Sequence, residues 1–143
     1  MTKLLGNDYR LWIESAVAGT YNEIKGGTST KVNRQAQTID TSTKDDFPYG
    51  TQAPGLKSLT LDSENYPNLP DATGYGRLET VSKGTVPVGF QIRKGGSAGD
   101  TDDVVFEASM YVGNFDTDFG KNDVVKSTFQ LSLAAAPTID ELK

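Results

Sequence analysis

The sequence predicts a mainly β fold, an antiparallel β-sandwich or barrel with one short helix, and three observations lead to it. Several short segments alternate apolar and polar residues, the period of two that a half-buried strand requires. Glycine occurs 15 times in the 143 residues, which suits turns between short strands better than a helical bundle. Only residues 71–83 combine helical spacing with signals for both helix ends. At this length we expect one domain, residues 1–143, with a single core.

The composition excludes several kinds of chemistry and of partner. The chain has no cysteine and no histidine, which removes disulfides, thiolate sites and the commonest general base. Its net charge of −5 at pH 7 argues against a nucleic acid as a tightly held partner. The N-terminal residues lack the apolar core of a signal peptide, and no apolar run reaches membrane-spanning length. We therefore expect a protein made in the cytoplasm, with no membrane partner.

The first strand is predicted over residues 9–17, after an N-terminal arm formed by residues 1–8. Leu4 and Leu5 are the apolar residues with which this arm can contact a neighbour. In the strand, alternation places four side chains on one face, those of Tyr9, Leu11, Ile13 and Val17. A short polar strand is predicted over residues 28–33.

Trp12 falls on the opposite face of the first predicted strand and has two interpretations. It could cover the second side of a sandwich, as any large apolar residue can. It could instead anchor an interface, because tryptophan is enriched at the energetic centres of interfaces. The sequence leaves both open.

A long polar loop is predicted at the centre of the chain, between strands over residues 38–42 and 56–63. The loop, residues 43–55, contains two prolines and two glycines among charged residues, a composition typical of irregular structure. Long ordered loops in compact domains are usually functional. Because no catalytic chemistry is present in it, we expect the loop to contact another protein. Its candidate contact residues are Lys44, Asp45, Asp46, Phe47 and Tyr49.

One helix and three strands complete the prediction. Asp71 supplies the N-cap signal and Gly84 the C-terminal stop of a helix over residues 71–83. Strands follow over three ranges, 86–93, 104–112 and 124–133, separated by loops over 94–103 and 113–123. The first of these turns Val86, Val88, Phe90 and Ile92 inward and Gln91 and Arg93 outward. Residues 134–143 have no evident strand partner and predict a C-terminal arm, in which Ile139 and Leu142 are the apolar contact residues.

Carboxylates provide the only candidate chemistry. Asp45 and Asp46 are adjacent, but neighbouring residues on a strand point to opposite faces and no partner is identifiable. Asn114, Asp116 and Asp118 resemble the start of a calcium loop, yet the glycine comes one position late and the glutamate at the twelfth position is missing. A solvated hairpin tip is the better interpretation of this second set. The sequence therefore predicts no enzyme, no cofactor and no metal site.

Two stretches of the chain resemble a known family. They are IKGGTSTKVNRQAQTIDTSTKDD, residues 24–46, and PGLKSLTLDSENY, residues 54–66. A strand ends in Asp-x-Ser with charged residues after it, and a long loop closes on Gly-Leu-Lys before an alternating strand. With the later helix and the final FQLSL strand, this order resembles the major tail proteins, or tail tube proteins, of long-tailed phages. The family usually ends its last strand in a glycine-containing turn, whereas this chain has Ala134–Ala136 and Pro137.

The resemblance implies a β-sandwich subunit of the virion tail that forms six-membered rings, stacked into a hollow tube. The loop over residues 43–55 and the two arms are then the parts expected to reach the next ring. DNA would pass through the lumen without specific binding, the tape measure protein would fill it during assembly, and a tail terminator would be a further partner. Because basic walls would hold the duplex, neutral or acidic polar strand faces are expected to line the channel. The candidates are Ser58, Thr60, Asp62, Glu107 and Ser109. The alternative is that these are ordinary solvent-facing residues of a monomeric sandwich.

A second function class also fits the predicted fold. A decoration or adhesion module of immunoglobulin type would explain the sandwich and the glycine-rich turns. Such a module would not require a polar thirteen-residue loop together with two terminal arms. The behaviour of the purified protein at rising concentration separates the two classes, because a tube subunit should assemble.

Overall fold

Eight strands and one helix form within residues 3–46 and 48–142, the parts of the chain that the computed structural model describes. The strands are β1 (Tyr9–Glu14), β2 (Tyr21–Glu23), β3 (Gly27–Asp40), β4 (Gln52–Asn65), β5 (Val88–Lys94), β6 (Val104–Asp118), β7 (Lys126–Leu133) and β8 (Ile139–Asp140). The helix α1 (Tyr75–Ser82) lies between β4 and β5. No helix in the described residues is long and apolar enough to cross a membrane.

All strands belong to one antiparallel sheet in the order β2-β1-β5-β6-β7-β4-β3, with β8 also paired to β6. The sheet does not close into a barrel. Its two ends curl over each other, because buried side chains of β1 and β5 share one apolar cluster with those of β4 and β7. We call β2, β1 and β5 the short-strand half, and β3, β4 and β7 the long-strand half. The long strand β6 runs through both. The predicted mainly β, antiparallel fold with one short helix is confirmed.

The core lies between the two halves and follows the predicted alternation. Leu11 and Ile13 from β1 and Phe90 from β5 meet Leu61 from β4 and Leu131 from β7 there. Burial of each such side chain stabilises the fold by about 1.5–3 kcal/mol relative to its exposure. The alternation therefore identified the inward face of each of these strands.

The helix packs against the same core through Tyr75 and Leu78. The Tyr75 ring lies 6.0 Å from that of Phe115, centroid to centroid. Its hydroxyl is 2.6 Å from the Ser127 hydroxyl on β7, and both groups are buried. A buried hydrogen bond thus joins the helix to the long-strand half.

The helix begins at Tyr75, four residues later than predicted, although Asp71 still caps it. The Asp71 carboxylate accepts hydrogen bonds from the backbone N–H groups of Gly74 at 3.2 Å and Tyr75 at 3.1 Å. It also accepts one from the N–H of Lys25 at 3.2 Å. A side chain at Gly74 would overlap the Glu23 carbonyl oxygen and the Asp71 carboxylate. The cap is therefore built around a glycine in close contact with another segment, which delays the first helical turn.

Several predicted boundaries were wrong, and in each case polar residues continue a strand. The short strands predicted over 28–33 and 38–42 are one strand, β3, with a register shift between Ala36 and Thr38. The predicted loop over 43–55 is shorter, because β4 begins at Gln52. β6 continues to Asp118 across a register shift between Val112 and Phe115, where a loop was predicted. A strand with two exposed faces lacks the apolar alternation that sequence analysis depends on.

Three predicted strands extended too far, each by including an apolar residue that lies outside the observed strand. Val17, Val86 and Val125 lie outside the strands and are exposed, although each had been placed on a strand by alternation. The C-terminal segment is also corrected. Residues 139–140 form β8, whose Ile139 pairs with Glu107 of β6. This segment continues the line of β7 along the same edge of β6 after an irregular stretch, so it does have a strand partner.

Candidate assembly surfaces

A continuous polar face covers the long-strand half together with the second half of β6. Antiparallel partners point to the same side of a sheet, so the registers join Lys31 with Asp62, Asp62 with Gln130, and Asp116 with Thr128. The predicted lumen residues Ser58, Thr60 and Asp62 all lie on this face, opposite the buried Leu59 and Leu61. The face carries four carboxylates and two lysines, namely Asp62, Glu64, Asp116, Asp118, Lys31 and Lys126. Its balance is therefore acidic by two charges.

The centre of this polar face is a shallow depression of about 380 Å³. Its lining includes Lys31, Asp62, Glu64, Asp116 and Gln130. The Asn33 amide donates a 2.6 Å hydrogen bond to the Asp62 carboxylate and so orients it along the sheet. Among the described residues, no group of three or more acidic, histidine or cysteine side chains is arranged to hold a metal ion. Asn114 and Asp116, considered above as part of a calcium loop, lie on β6 and not in a hairpin tip.

The other two predicted lumen residues, Glu107 and Ser109, lie in a different place. They are on the first half of β6, where it pairs with β5 of the short-strand half. The Tyr21 hydroxyl of β2 is 3.4 Å from a Glu107 carboxylate oxygen. Burial, with the negative charges of Glu14 and Glu107, raises the pKa of Tyr21 to about 12. The registers of Tyr111 with Ser132 and of Ser132 with Thr60 place Glu107 and Ser109 on the same outward side of the continuous sheet as Asp62, but on the half that curls over the core.

The outward side of the short-strand half has a packed layer of its own, which sequence analysis missed. Arg93 and Gln91, predicted to point into solvent, are buried, with Arg93 only 7% exposed. The Arg93 Nε donates to the Gln91 side-chain oxygen at 2.8 Å. Its guanidinium lies 4.4 Å from the centre of the Trp12 ring, within the range of a cation–π contact. Trp12 therefore covers the second side of this half, the first of its two interpretations.

The end of the β3–β4 hairpin is a two-stranded ribbon, residues 35–58. β4 pairs with β7 only from Thr60 onward, so the residues before it pair with β3 alone. Side chains on both surfaces of the ribbon are exposed, including Ile39 and Leu56, the latter 83% exposed. An isolated two-stranded hairpin is marginally stable in water. The ribbon therefore projects apolar residues that the chain itself does not cover.

The loop at the tip of the ribbon spans residues 41–51 and is closed by hydrogen bonds at its base. The Thr41 N–H donates to the Thr51 carbonyl at 3.0 Å, and the two hydroxyls lie 2.9 Å apart. The Ser42 N–H donates to Asp40 at 2.9 Å, which lowers the pKa of that carboxyl below its usual value. The predicted contact residues Lys44, Asp45 and Tyr49 are exposed, Tyr49 by 84%. Asp46 ends a short 3₁₀ turn, and Phe47 lies outside the described residues.

The two terminal segments differ in how firmly they are held. Leu4 and Leu5, predicted to make arm contacts, are exposed ahead of β1. Ile139 is part of β8, and Arg34 of β3 forms a two-point ion pair with Asp140 beside it, one contact being 3.1 Å long. This pair raises the pKa of Arg34. Leu142 is exposed beyond β8.

Exposed apolar side chains are concentrated outside the paired body of the sheet. Of the 14 large exposed apolar residues in the described chain, all but Tyr111 lie in the ribbon, in the terminal segments or in the connections between strands. Those in the connections include Val17, Tyr66, Leu69, Val86, Phe119 and Val124.

The chain was compared with known protein families and with solved structures. The model of the phage tail tube protein family matches residues 4–139. No curated protein matches. The tail of an empty gene transfer agent particle, refined with C6 symmetry, superposes with a TM-score of 0.78 at 15% identity, covering 96% of this chain and 98% of that one.

Two further solved structures share the fold. A chain of the native gene transfer agent virion has a TM-score of 0.75 at 14% identity, with coverage of 94% and 97%. The tail tube of SPP1 has a TM-score of 0.75 at 12% identity, covering 98% of this chain and 81% of that one. The family model extends over nearly the whole chain, from the exposed Leu4 to the strand β8. The chain therefore belongs to the phage tail tube protein family and is a structural subunit of a viral tail tube.

Proposed function

We propose that this subunit polymerises as stacked hexameric rings to form a hollow conduit through which DNA is delivered into the host. The sixfold symmetry of the similar gene transfer agent tail supports a ring of six. The observation that carries the proposal is the pair of open strand edges that flank the polar face of the long-strand half. In the described chain, β3 pairs with β4 alone, and β6 beyond Val112 pairs with β7 alone.

Open edges of this length are a liability for a protein that remains a monomer. They present rows of unpaired N–H and C=O groups on which other chains can add. If β3 of one subunit pairs with the second half of β6 in the next, every subunit uses both edges and the ring closes. Four strands from each subunit, β3, β4, β7 and β6, then surround the lumen.

The polar face is assigned to the inner wall of this ring. It contains three of the predicted lumen residues, Ser58, Thr60 and Asp62. In the proposed list of lumen residues, Lys31, Glu64 and Gln130 take the place of Glu107 and Ser109. Its excess of carboxylates disfavours the counterion release by which basic surfaces hold DNA. The duplex can therefore slide along the wall without being bound.

Other partners follow from the same proposal. The tape measure protein occupies the lumen while the tube grows, and a tail terminator ends its growth. The subunits assemble in the host cytoplasm and finish in the virion tail. No catalytic residue, cofactor or metal is assigned, because the role is structural.

The rival proposal is a monomeric decoration or adhesion module of immunoglobulin type. It would leave the open edge of β3 and the exposed ribbon without a purpose. Size-exclusion chromatography with light scattering, followed by electron microscopy, distinguishes the two. We expect rings or tubes with sixfold end views as the concentration rises. A protein that stays monomeric at about millimolar concentration, far above the Kd of any stable interface, would exclude the tube.

A further inference from the structure

We propose that Phe119, at the end of the β6–β7 hairpin, inserts into a cleft between β1 and β3 of the adjacent subunit in the same ring. The inference rests on the proposed ring, in which β3 of one subunit pairs with the second half of β6 of the next. It adds a second contact beside the strand pairing and names the residues that form it. The cleft, the position of Phe119 and the strand registers each support it.

The cleft is an opening of about 640 Å³ between the first residues of β1 and the start of β3. These two strands are not hydrogen-bonded partners. Core side chains form the floor of the cleft, namely those of Leu11, Ile24 and Ile92. Its described lining includes one charged residue, Arg10, which already pairs with Glu23. A concave site with an apolar floor of this kind suits an apolar occupant.

One buried polar atom in the cleft lacks a hydrogen-bond partner among the described residues. Asn65 is 1% exposed, and its Nδ2 group donates to the Lys25 carbonyl at 3.1 Å. That bond fixes the orientation of the amide and leaves the Oδ1 atom without a donor. Because a buried acceptor without a partner costs free energy, the cleft favours an occupant that has an N–H group beside its apolar group. A phenylalanine with its neighbouring backbone supplies both.

Gly27 keeps the mouth of the cleft open. It pairs with Asn65 in the β3–β4 ladder, and antiparallel partners point to the same side of a sheet. A side chain at position 27 would therefore point into the cleft, where a Cβ meets no described atom within 4 Å. The space is thus accessible to a side chain from another subunit.

Phe119 is exposed on the side of the sheet that the cleft occupies. It follows Asp118, the last residue of β6, and is 77% exposed. Alternation along the strand places it on the side of Phe115, which packs on the core, and away from the polar face that carries Asp116 and Asp118. In the proposed ring the wall is one continuous sheet, so Phe119 and the cleft both lie on the side away from the lumen.

The strand registers bring Phe119 to the level of the cleft. Through β7 and β4 they connect Phe115 of β6 with Thr30 of β3. Without a stagger between subunits, Phe119 of the next subunit therefore lies beside Gly26. A stagger toward the ribbon, of the kind that tilted strands in a closed barrel require, moves it toward Thr30, and all of residues 26–30 line the cleft. A shift in the opposite direction would carry the end of β6 past the start of β3 and leave it unpaired.

Cross-linking in assembled rings tests the inference, and the chain is suited to it because it has no cysteine. The variant Thr28→Cys/Gly120→Cys places one exposed thiol at the cleft and one next to Phe119, which it keeps. A bis-maleimide reagent spanning roughly 8 Å, longer than a disulfide permits, should give covalent oligomers in denaturing gels. Because the contact closes around one ring, the ladder should end at the hexamer.

The matched control is Thr28→Cys/Tyr111→Cys, whose second thiol lies on the same strand of the next subunit. The registers place Tyr111 level with Asn33. Five residues of strand, about 17 Å, separate that level from Thr28, and a stagger toward the ribbon lengthens the distance. We expect no ladder from the control.

Each cross-linking result decides the question. A ladder that ends at the hexamer from the Thr28/Gly120 pair, with none from the control, supports the inference. Rings without a ladder, ladders from both pairs, or a ladder that continues beyond the hexamer would overturn it while leaving the proposed tube intact. Wild-type protein that forms no rings would remove the proposed function and this inference together.

A second measurement covers the case in which the double-cysteine variant does not assemble. Gly27→Phe fills the cleft from its own subunit, in space that the fold leaves open, and Phe119→Ala removes the inserting ring. We expect each change to lower the fraction of subunits in rings at least about tenfold, as the loss of an interface anchor does. Native mass spectrometry measures this fraction at the concentration where half of the wild-type protein is assembled.

Val17→Ala is the control for these two variants. It truncates a side chain that is 68% exposed in the β1–β2 connection, away from both open strand edges, so it should assemble like wild type. Urea unfolding checks that each variant is folded, and Phe119→Ala still decides the question if Gly27→Phe is not. Wild-type assembly by folded Phe119→Ala, or an equal loss with Val17→Ala, would overturn the inference.

Discussion

At the scale of single residues, the packing of side chains over the short-strand half depends on Gly89 as much as on the larger groups around it. The Tyr21 ring lies across β5 at this glycine, and Arg93 and Trp12 pack beside it. A methyl group at Gly89 would collide with the Tyr21 hydroxyl and approach a ring carbon at 3.1 Å. The absence of a side chain therefore allows the aromatic layer to form.

Gly89→Ala should destabilise the fold by about 1–3 kcal/mol, the cost of forcing extra volume into a packed site. The loss should be smaller in a Tyr21→Phe background, because the nearest colliding atom is then absent. Gly113→Ala is the matched control, since its methyl group would lie 3.4 Å from the nearest atom, the Gln130 carbonyl oxygen. Urea unfolding monitored by Trp12 fluorescence measures all of these variants. Equal losses for Gly89→Ala and Gly113→Ala would contradict the packing described here.

Residue-level prediction from the sequence succeeded where apolar and polar residues alternate and failed where polar residues are buried. Leu11, Ile13 and Phe90 face the core as predicted. Gln91 and Arg93 were placed in solvent because their side chains are polar, yet they satisfy each other beneath Trp12. That arrangement depends on β2 folding back along β1, a tertiary event with no local signal. The presence of a tryptophan on the polar face was the one available indication.

At the scale of secondary-structure elements, β8 changes what the C-terminal segment does. The sequence predicts an arm without a strand partner there. In the structure the Glu141 N–H donates to the Val105 carbonyl at 2.9 Å and the Thr138 N–H to that of Glu107 at 2.9 Å. The segment therefore protects an edge of β6 beside the core.

A chain ending at Thr138 should be less stable than the full chain by about 1–3 kcal/mol, the scale of a few lost hydrogen bonds. Asp140→Asn serves as the control. It removes the partly exposed ion pair with Arg34 but leaves the strand, and such pairs contribute only about 0–1 kcal/mol. Thermal unfolding of the monomer measures both. If truncation and Asp140→Asn have the same effect, the strand pairing contributes nothing of its own.

Replacing residues 42–50 with Asn-Gly should leave the sandwich intact and prevent stacking. The hydrogen bonds between Thr41 and Thr51 remain, and Asn-Gly suits a two-residue hairpin turn. Unfolding free energy should stay within about 0.5 kcal/mol of wild type, as for most surface changes. Electron microscopy should then show rings but few tubes. Full-length tubes from a folded variant would mean that the loop does not act between rings.

Element boundaries show why polar strands escape sequence analysis. β3 and the far end of β6 have little buried surface, so their residues carry no alternation to predict a strand. The sequence therefore indicated the elements around the core and underestimated those that form the proposed tube wall. The surfaces proposed for assembly were the hardest to predict, because nothing else in the described chain covers their apolar side chains or pairs with their strand edges.

At the scale of the whole molecule, the polar faces of the two halves of the sheet differ in how far other side chains cover them. The face of the long-strand half carries Asp62 and Glu64 with few covering groups, whereas Glu107 belongs to the packed layer of the short-strand half. Only the first is flanked on both sides by open strand edges. A ring built through those edges gives the two faces different neighbours, DNA inside and solvent outside.

Charge reversal on the inner face tests this assignment. Asp62→Lys/Glu64→Lys should leave the subunit folded and able to form tubes, because exposed strand positions tolerate substitution, usually within about 0.5 kcal/mol. Asp62→Asn removes the charge but keeps a side-chain oxygen that can accept from Asn33, so it separates the effect of charge from that of the hydrogen bond. Sixfold repetition would place lysines around every ring where the duplex passes. Each contact with phosphate releases counterions, so DNA should bind the wall most strongly at low salt.

The measurement is the rate of DNA ejection from particles carrying the variant, across a range of ionic strength. We expect ejection to slow or stall below about 0.05 M salt, where screening extends beyond about 10 Å, and to recover as salt rises. Glu79→Lys/Asp102→Lys is the matched control, since it makes the same charge change at exposed positions away from the proposed lumen. Ejection at the wild-type rate from the Asp62/Glu64 variant at low salt would show that this face is not the channel wall. Slowing by the control variant to the same extent would point to net charge of the particle as the cause.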